Sequence, residues 1–205
     1  MKRFISNQLA RLYTWYHHRR LLRRWANYRN RGMKLGKGVN LPWSTNIDTS
    51  HCFLISIGDN CGFGENCTIL AHDAMPNEYL DASVIGRVKI HESCHFGMGT
   101  IILPGVEIGP RSIVGSGSVV NRDIPPETVA AGNPVKVLCS LQEYVAKHRE
   151  KMKTAPLFEF KKYDENYLTP ERLQDMLDRL DKTTGYMVGG YTAMVKDGES
   201  LFRTP

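Results

Sequence analysis

The sequence predicts a mainly β chain: a parallel β-helix built of six-residue repeats, with a basic helix at its N-terminal end and helices at its C-terminal end. Two observations carry that prediction. Apolar residues recur at every sixth position through much of residues 35–138, and small or β-branched residues recur four positions after them. A period of six belongs to neither a helix nor a plain strand. It suits a chain that makes a short flat strand, turns a corner and repeats, three such units closing one triangular coil that buries its faces by stacking on the next.

The first element is residues 1–34. Ile5, Leu9, Leu12, Trp15, Tyr16, Leu22 and Trp25 fall at mixed three- and four-residue spacings among Arg11, Arg19, Arg20, Arg23 and Arg24, which predicts an amphipathic helix over 5–31, broken near His17 and His18 and ended by Gly32. Residues 1–31 hold nine Lys or Arg and no acid, so a chain of net charge +6 keeps about −3 for the remainder. The helix is expected to cap the exposed end of the repeat. A second reading is peripheral contact with an anionic membrane surface through 5–31. Nucleic-acid binding ranks last, because no recognised module accompanies the basic run.

Residues 35–138 form the repeat. Leu35, Leu41, Ile47 and Phe53 make one register, Ile57, Phe63 and Ile69 a second, and Val84, Ile90, Phe96, Ile102, Ile108, Val114 and Val120 a third. Thr45, Cys61, Cys67, Cys94, Thr100, Ser112 and Ser118 occupy the small position, expected where the interior narrows, so Cys61, Cys67 and Cys94 read as compact hydrophobes. Ile69 and Val84 are fifteen apart, not a multiple of six, which places an excursion of about nine residues in the loop 70–83. Loops held on rigid scaffolds are where function concentrates. His72 opens this one.

After Val120 the repeat ends at Ile124, Pro125 and Pro126. Residues 139–205 read as a helical extension: a helix over 140–153 with Leu141, Tyr144, Val145 and His148 on one side, then one opened by Thr169 and Pro170 and running through Leu173, Met176, Leu177 and Leu180. The last twenty residues show no strong pattern and predict a packed or mobile tail. The five cysteines are odd in number, and no apolar h-region follows Met1, Lys2 and Arg3, so no signal peptide is expected and the thiols read as reduced and cytoplasmic, with the inner face of the membrane as a further option. No apolar run approaches the length that crosses a bilayer.

Residues 84–138, above all Ile102-Leu103-Pro104-Gly105-Val106, Gly115-Ser116-Gly117-Ser118-Val119-Val120 and the stretch from Ile124-Pro125-Pro126 to Ala131-Gly132-Asn133-Pro134, resemble the C-terminal coils of bacterial hexapeptide acetyltransferases. The stretch Ile69-Leu70-Ala71-His72-Asp73-Ala74 resembles the capsule and O-antigen sugar branch of that family. The resemblance implies a left-handed β-helix, a homotrimer with active sites between neighbouring prisms, acetyl-CoA laid along the outer coils, and a sugar acceptor in polysaccharide biosynthesis. It carries His72 over as the general base. Asp73 is the adjoining candidate, either orienting the imidazole or binding an acceptor hydroxyl. For acetyl-CoA the matching positions are His95, Gly97, Met98, Ser116, Gly117, Asn121, Arg122 and Lys136. No metal is expected.

Acetyl transfer to an alcohol needs a base for the hydroxyl proton and donors for the carbonyl oxygen. Histidine titrates in the right range, and the backbone at Gly97 and Gly99 is the candidate donor. Three alternatives stay open: N-acetylation of an aminosugar nucleotide, a zinc hydratase of the γ-carbonic-anhydrase kind drawing on His91 and His95, and a non-catalytic scaffold. His17, His18, His51 and His148 read as surface or packing residues.

Overall fold

A computed structural model describes residues 19–165 and 167–190; positions 5–18 of the expected N-terminal helix, and the tail from 191 onward, lie outside the described residues. The chain divides into two compact units, one reaching Leu138 and the other beginning at Cys139.

The first unit is a left-handed parallel β-helix with three faces. Lys34–Leu35, Ile55–Ile57, Val88–Ile90 and Glu107–Ile108 stack as the first face. Gly62–Phe63, His95–Phe96, Ile113–Val114, Thr128–Ala131 and Lys136–Ser140 make the second, and Asn46–Ile47, Thr68–Ile69, Ile101–Ile102 and Val119–Val120 the third. Strand pairing brings the separate sequence registers into one inward row: Leu35 lies across from Ile57, Ile57 from Ile90, and Ile90 from Ile108, the insertions before Ile57 and Ile90 being looped out at a corner. Ile57, Ile90 and Ile108, with Phe63, Ile69, Phe96, Ile102, Val114 and Val120, are buried, and Leu35 packs half-buried against them. Phe63 and Phe96 stack ring on ring at 4.5 Å. The outward neighbours in the same strands, such as Lys89 and Glu107, remain exposed.

The small interior residues do a second job. Thr100 Oγ1 donates to the Gly97 carbonyl at 2.8 Å, Ser118 Oγ to the Gly115 carbonyl at 2.6 Å, and Cys61 Sγ to the His91 carbonyl at 3.0 Å. Corner carbonyls that turn into the prism thereby find donors, as buried backbone requires. Burial pushes the Cys67 thiol up, which agrees with a packing role. Coils approach so closely at the corners that a Cβ on Gly97 would lie 2.3 Å from the Ser116 nitrogen.

Two expected register members lie outside the prism. Phe53 is 54% exposed in a short 3-10 turn, Cys52–Leu54, at the edge between the third and first faces. Val84 is 51% exposed and pairs antiparallel with Asp73. The excursion is therefore a hairpin arm longer than the loop 70–83: His72–Asp73 pairs with Val84–Ile85, and the coil resumes only at Val88. Val84 keeps the six-residue count by coincidence.

Residues 19–30 are helical. Trp25 and Tyr28 enter the core. Arg24 lies over the Trp25 and Trp43 rings at 5.1 and 5.3 Å and donates to the Trp43 and Thr45 carbonyls at 2.6 and 2.8 Å. Those acceptors belong to the first coil, so this segment covers the open end of the stack, which is the capping role.

In the second unit, Ser140 caps the helix Leu141–Met152 in a reciprocal box with Glu143, and Thr169 caps Pro170–Leu180 with proline at the first turn. His148 Nδ1 lies 2.9 Å from the Tyr186 hydroxyl, a packing role. No apolar period marks the parallel pair Leu157–Glu159 with Tyr186–Val188, which reaches into the stretch expected to lack pattern. Phe158 is buried at its centre, with Arg179 over the ring at 4.5 Å.

The corrected register makes a testable contrast. Ile102→Ala, at a fully buried position, is expected to cost about 2–5 kcal/mol of stability in urea unfolding. Val84→Ala, in the same sequence register but on the arm, is expected to stay within about 0.5 kcal/mol.

Candidate active site

Both departures from the repeat leave at the same edge, between the third and first faces. Ile47 lies across from Ile69 in adjacent coils, and the Asp48 N–H donates to the Ile69 carbonyl at 2.9 Å. Residues that follow these two strands are thus brought side by side. Asp48, leaving the first coil, meets Ala71 and His72, leaving the second.

The Asp48 carboxylate is inaccessible and saturated with donors. Its Oδ1 accepts from the Ser50 N–H at 3.0 Å, the Ser50 hydroxyl at 2.9 Å and the His51 N–H at 3.0 Å. Its Oδ2 accepts from the Ala71 N–H at 3.0 Å and faces His72 Nδ1 at 2.5 Å. Burial alone would raise its pKa, but the bonds from His72, from the backbone of His51 and Ala71 and from Ser50 outweigh it and hold the carboxyl well below the usual carboxylate range. An ionised carboxylate can only accept, so His72 Nδ1 carries the hydrogen that faces it, and in the neutral imidazole the lone pair then lies on Nε2. This is the orienting arrangement of a carboxylate–histidine base.

His51 belongs to the site as well. Its ring lies 4.6 Å from that of His72, centroid to centroid, and its Nδ1 is 3.1 Å from the Ser50 hydroxyl. The expectation of a surface or packing residue is corrected in this respect. Asp48, His51 and His72 bring potential ligand atoms within 4.8 Å of one another. The Asp48 oxygens, however, are already committed to five N–H or O–H donors. That pattern fits an orienting acceptor better than a metal ligand.

The structure corrects the orienting role considered for Asp73. Its Oδ1 accepts from the Met75 N–H at 2.9 Å, which turns the arm, while Asp48 holds the imidazole. Gly97 and Gly99 are corrected as oxyanion donors: their N–H groups are spent on the Val114 and Glu65 carbonyls at 2.8 and 2.9 Å. The N–H groups of Met98 and Ser116 make no hydrogen bond among the described residues. His91 and His95 do not converge. His91 Nε2 meets Glu107 on the first face at 2.6 Å, whereas His95 projects from the second face. Desolvation lowers the His95 pKa.

The residues matched to acetyl-CoA fall on two edges. His95, Gly97, Met98, Ser116 and Gly117 cluster where the second face turns into the third, where the Gly117 N–H donates to the Met98 carbonyl at 2.8 Å. Asn121 and Arg122 lie on the edge that carries His72, and Lys136 starts the last strand of the second face. Among the described residues no helix is long and apolar enough to cross a membrane.

The lowered Asp48 pKa has a consequence for stability. A carboxyl whose folded pKa lies below its unfolded value contributes stability that is fully present above the unfolded pKa, about 4, and is lost as pH falls toward the folded pKa. Unfolding midpoints followed from pH 7 to pH 2 should therefore decline less steeply below about pH 4 in Asp48→Asn than in the parent chain.

A family model described as bacterial transferase hexapeptide (six repeats) matches residues 87–122. YvoF of Bacillus subtilis (strain 168), named as an acetyltransferase, is 34% identical over 143 residues, covering 70% of this chain and 78% of the relative. The galactoside O-acetyltransferase of Lactococcus lactis subsp. lactis (strain IL1403) is 33% identical over 140 residues, 66% of each chain. That of Escherichia coli (strain K12) is 30% identical over 122 residues, 57% of this chain and 59% of its own length. With the six-residue coils, the buried register and this extent of identity together, the chain belongs to the hexapeptide-repeat family of bacterial acyltransferases.

Proposed function

We propose that this protein transfers an acetyl group from acetyl-CoA to a hydroxyl of a sugar used in surface-polysaccharide synthesis, with His72 as general base. The observation that carries the proposal is the pair formed by Asp48 and His72 at 2.5 Å, which leaves Nε2 of His72 as an oriented base on an accessible edge. The naming of two relatives as galactoside O-acetyltransferases supports a sugar hydroxyl as acceptor.

In this reading the acceptor hydroxyl gives its proton to His72 Nε2 as its oxygen bonds to the acetyl carbon. The carbon–sulfur bond breaks, and the proton passes from His72 to the departing thiolate. Asp48 stabilises the imidazolium between those transfers. The unpartnered N–H groups of Met98 and Ser116 are suited to the carbonyl oxygen as it gains charge. Arg122 and Lys136, both exposed, suit the phosphates of the donor.

Because the donor positions and the base stand on different edges of one prism, the complete site calls for a second copy. The edge bearing His72 and Arg122 would face the neighbour's edge bearing His95 and Met98, and three such contacts close a trimer. The exposed apolar side chains of the arm, Met75, Tyr79, Leu80 and Ile85, and of the other edge, Met98, support such a contact. Asp73, beside the base and exposed on the arm, remains a candidate contact for the acceptor.

The test is free-thiol release from acetyl-CoA against a panel of sugars. His72→Ala is expected to lower turnover about 10²–10⁴-fold while the trimer and CoA affinity persist. Loss of the trimer in the variant would make His72 structural, and undiminished turnover would remove it as the base.

A further inference from the structure

A groove of about 820 Å³ runs along the first face from the edge that carries His72. Lys34, Ser56, Lys89 and Glu107 project into it from successive strands, and Phe53 and Arg87 border it at that edge. It adjoins the base through aromatic contacts. The Phe53 ring lies 5.8 Å from that of His51, which in turn lies 4.6 Å from that of His72.

The charges in the groove do not cancel. Glu107 lies 2.6 Å from His91 Nε2 and is paired with Lys89 Nζ at 2.7 Å, and these contacts hold its carboxyl below the usual range. The Asp123 Oδ1 accepts from the Glu107 N–H at 2.7 Å. Lys34 and Arg87 have no ionic or hydrogen-bonding partner among the described residues. Lys34 and Lys89 flank Ser56 on neighbouring strands, which sets their backbones about 10 Å apart. With Lys89 paired to Glu107, Lys34 and Arg87 are the groove-lining cations whose side chains have no partner among the described residues, and against the single remaining carboxylate, Asp123, they leave the groove with net positive charge for an anion.

We propose that this groove is the acceptor subsite and that the acceptor is an anionic sugar, its carboxylate or phosphate held by Lys34 and Arg87 while a hydroxyl reaches His72. The proposal rests on the acetyltransferase reading. A neutral sugar would leave both cations unused, whereas an acid or a sugar phosphate has the charge and the reach to use them.

The experiment compares glucose, glucuronate and glucose 1-phosphate, using the full chain and its Lys34→Gln, Arg87→Gln double variant. Calorimetric binding is measured alongside thiol release. The expected result is tighter binding and higher kcat/KM for the two anions, a salt-sensitive advantage. In the double variant this advantage should fall through KM by about tenfold or more, with kcat and acetyl-CoA affinity unchanged. Equal binding of glucose and the anions, or an advantage that survives in the double variant, would overturn the proposal. So would loss of acetyl-CoA affinity instead, because the two cations would then serve the donor's phosphates. Anion binding that the double variant loses, with no thiol release by either protein, would keep the anion cradle and sink the transferase reading. Thiol release with glucose and the anions alike would do the reverse.

Discussion

Everything in the first unit depends on the register of one coil against the next. A single coil cannot bury its apolar face or satisfy its strand backbones, so each borrows both from its neighbours. Ile69 in the middle of the stack illustrates this. It lies across from Ile47 on one side and Ile102 on the other and is fully buried. Extra residues fit only at the corners. The two large insertions share one corner, and the pairing of Ile47 with Ile69 then delivers Asp48 to His72. The dyad follows from stacking, with residues distant in sequence becoming adjacent one coil apart.

Electrostatics completes what stacking begins. An ionised carboxylate with its side chain out of water is costly unless its oxygens are satisfied. Asp48 meets that demand with donors from its own loop, Ser50 and His51, and from the neighbouring coil, Ala71 and His72. The same bonds fix the loop, the imidazole and its tautomer together. Ser50 couples the two histidines further, since its hydroxyl lies 3.1 Å from His51 Nδ1 and 3.4 Å from His72 Nδ1. Preorganisation of this kind is what a base needs if it is not to reorganise during the reaction.

The period of six made the three faces and nearly the whole core legible, because inward position and small-residue position are both functions of count along the chain. It failed where count and space part company. Val84 and Phe53 keep the spacing but sit on insertions, and their exposure reflects the arm and the short turn rather than the coil. His72 was legible as the residue opening an excursion. Asp48 was not, because its role depends on a cross-coil neighbour. The interval from Ile47 to Ile57, longer than six, was the available signal that a second insertion leaves the same corner. That insertion carries Asp48 and His51, the residues that lie against the His72 ring. Glycine misleads in a similar way: it marks where coils approach, and close approach consumes the N–H groups of Gly97 and Gly99.

In the proposed reaction Asp48 fixes His72 so that Nε2 receives the acceptor's proton. A crystal structure with CoA and a sugar acceptor bound together tests it most directly. An acceptor hydroxyl is expected within about 2.6–3.2 Å of His72 Nε2, with Nδ1 still on Asp48. An acceptor whose hydroxyls all lie away from His72, or an imidazole turned so that Nε2 meets Asp48, would contradict it.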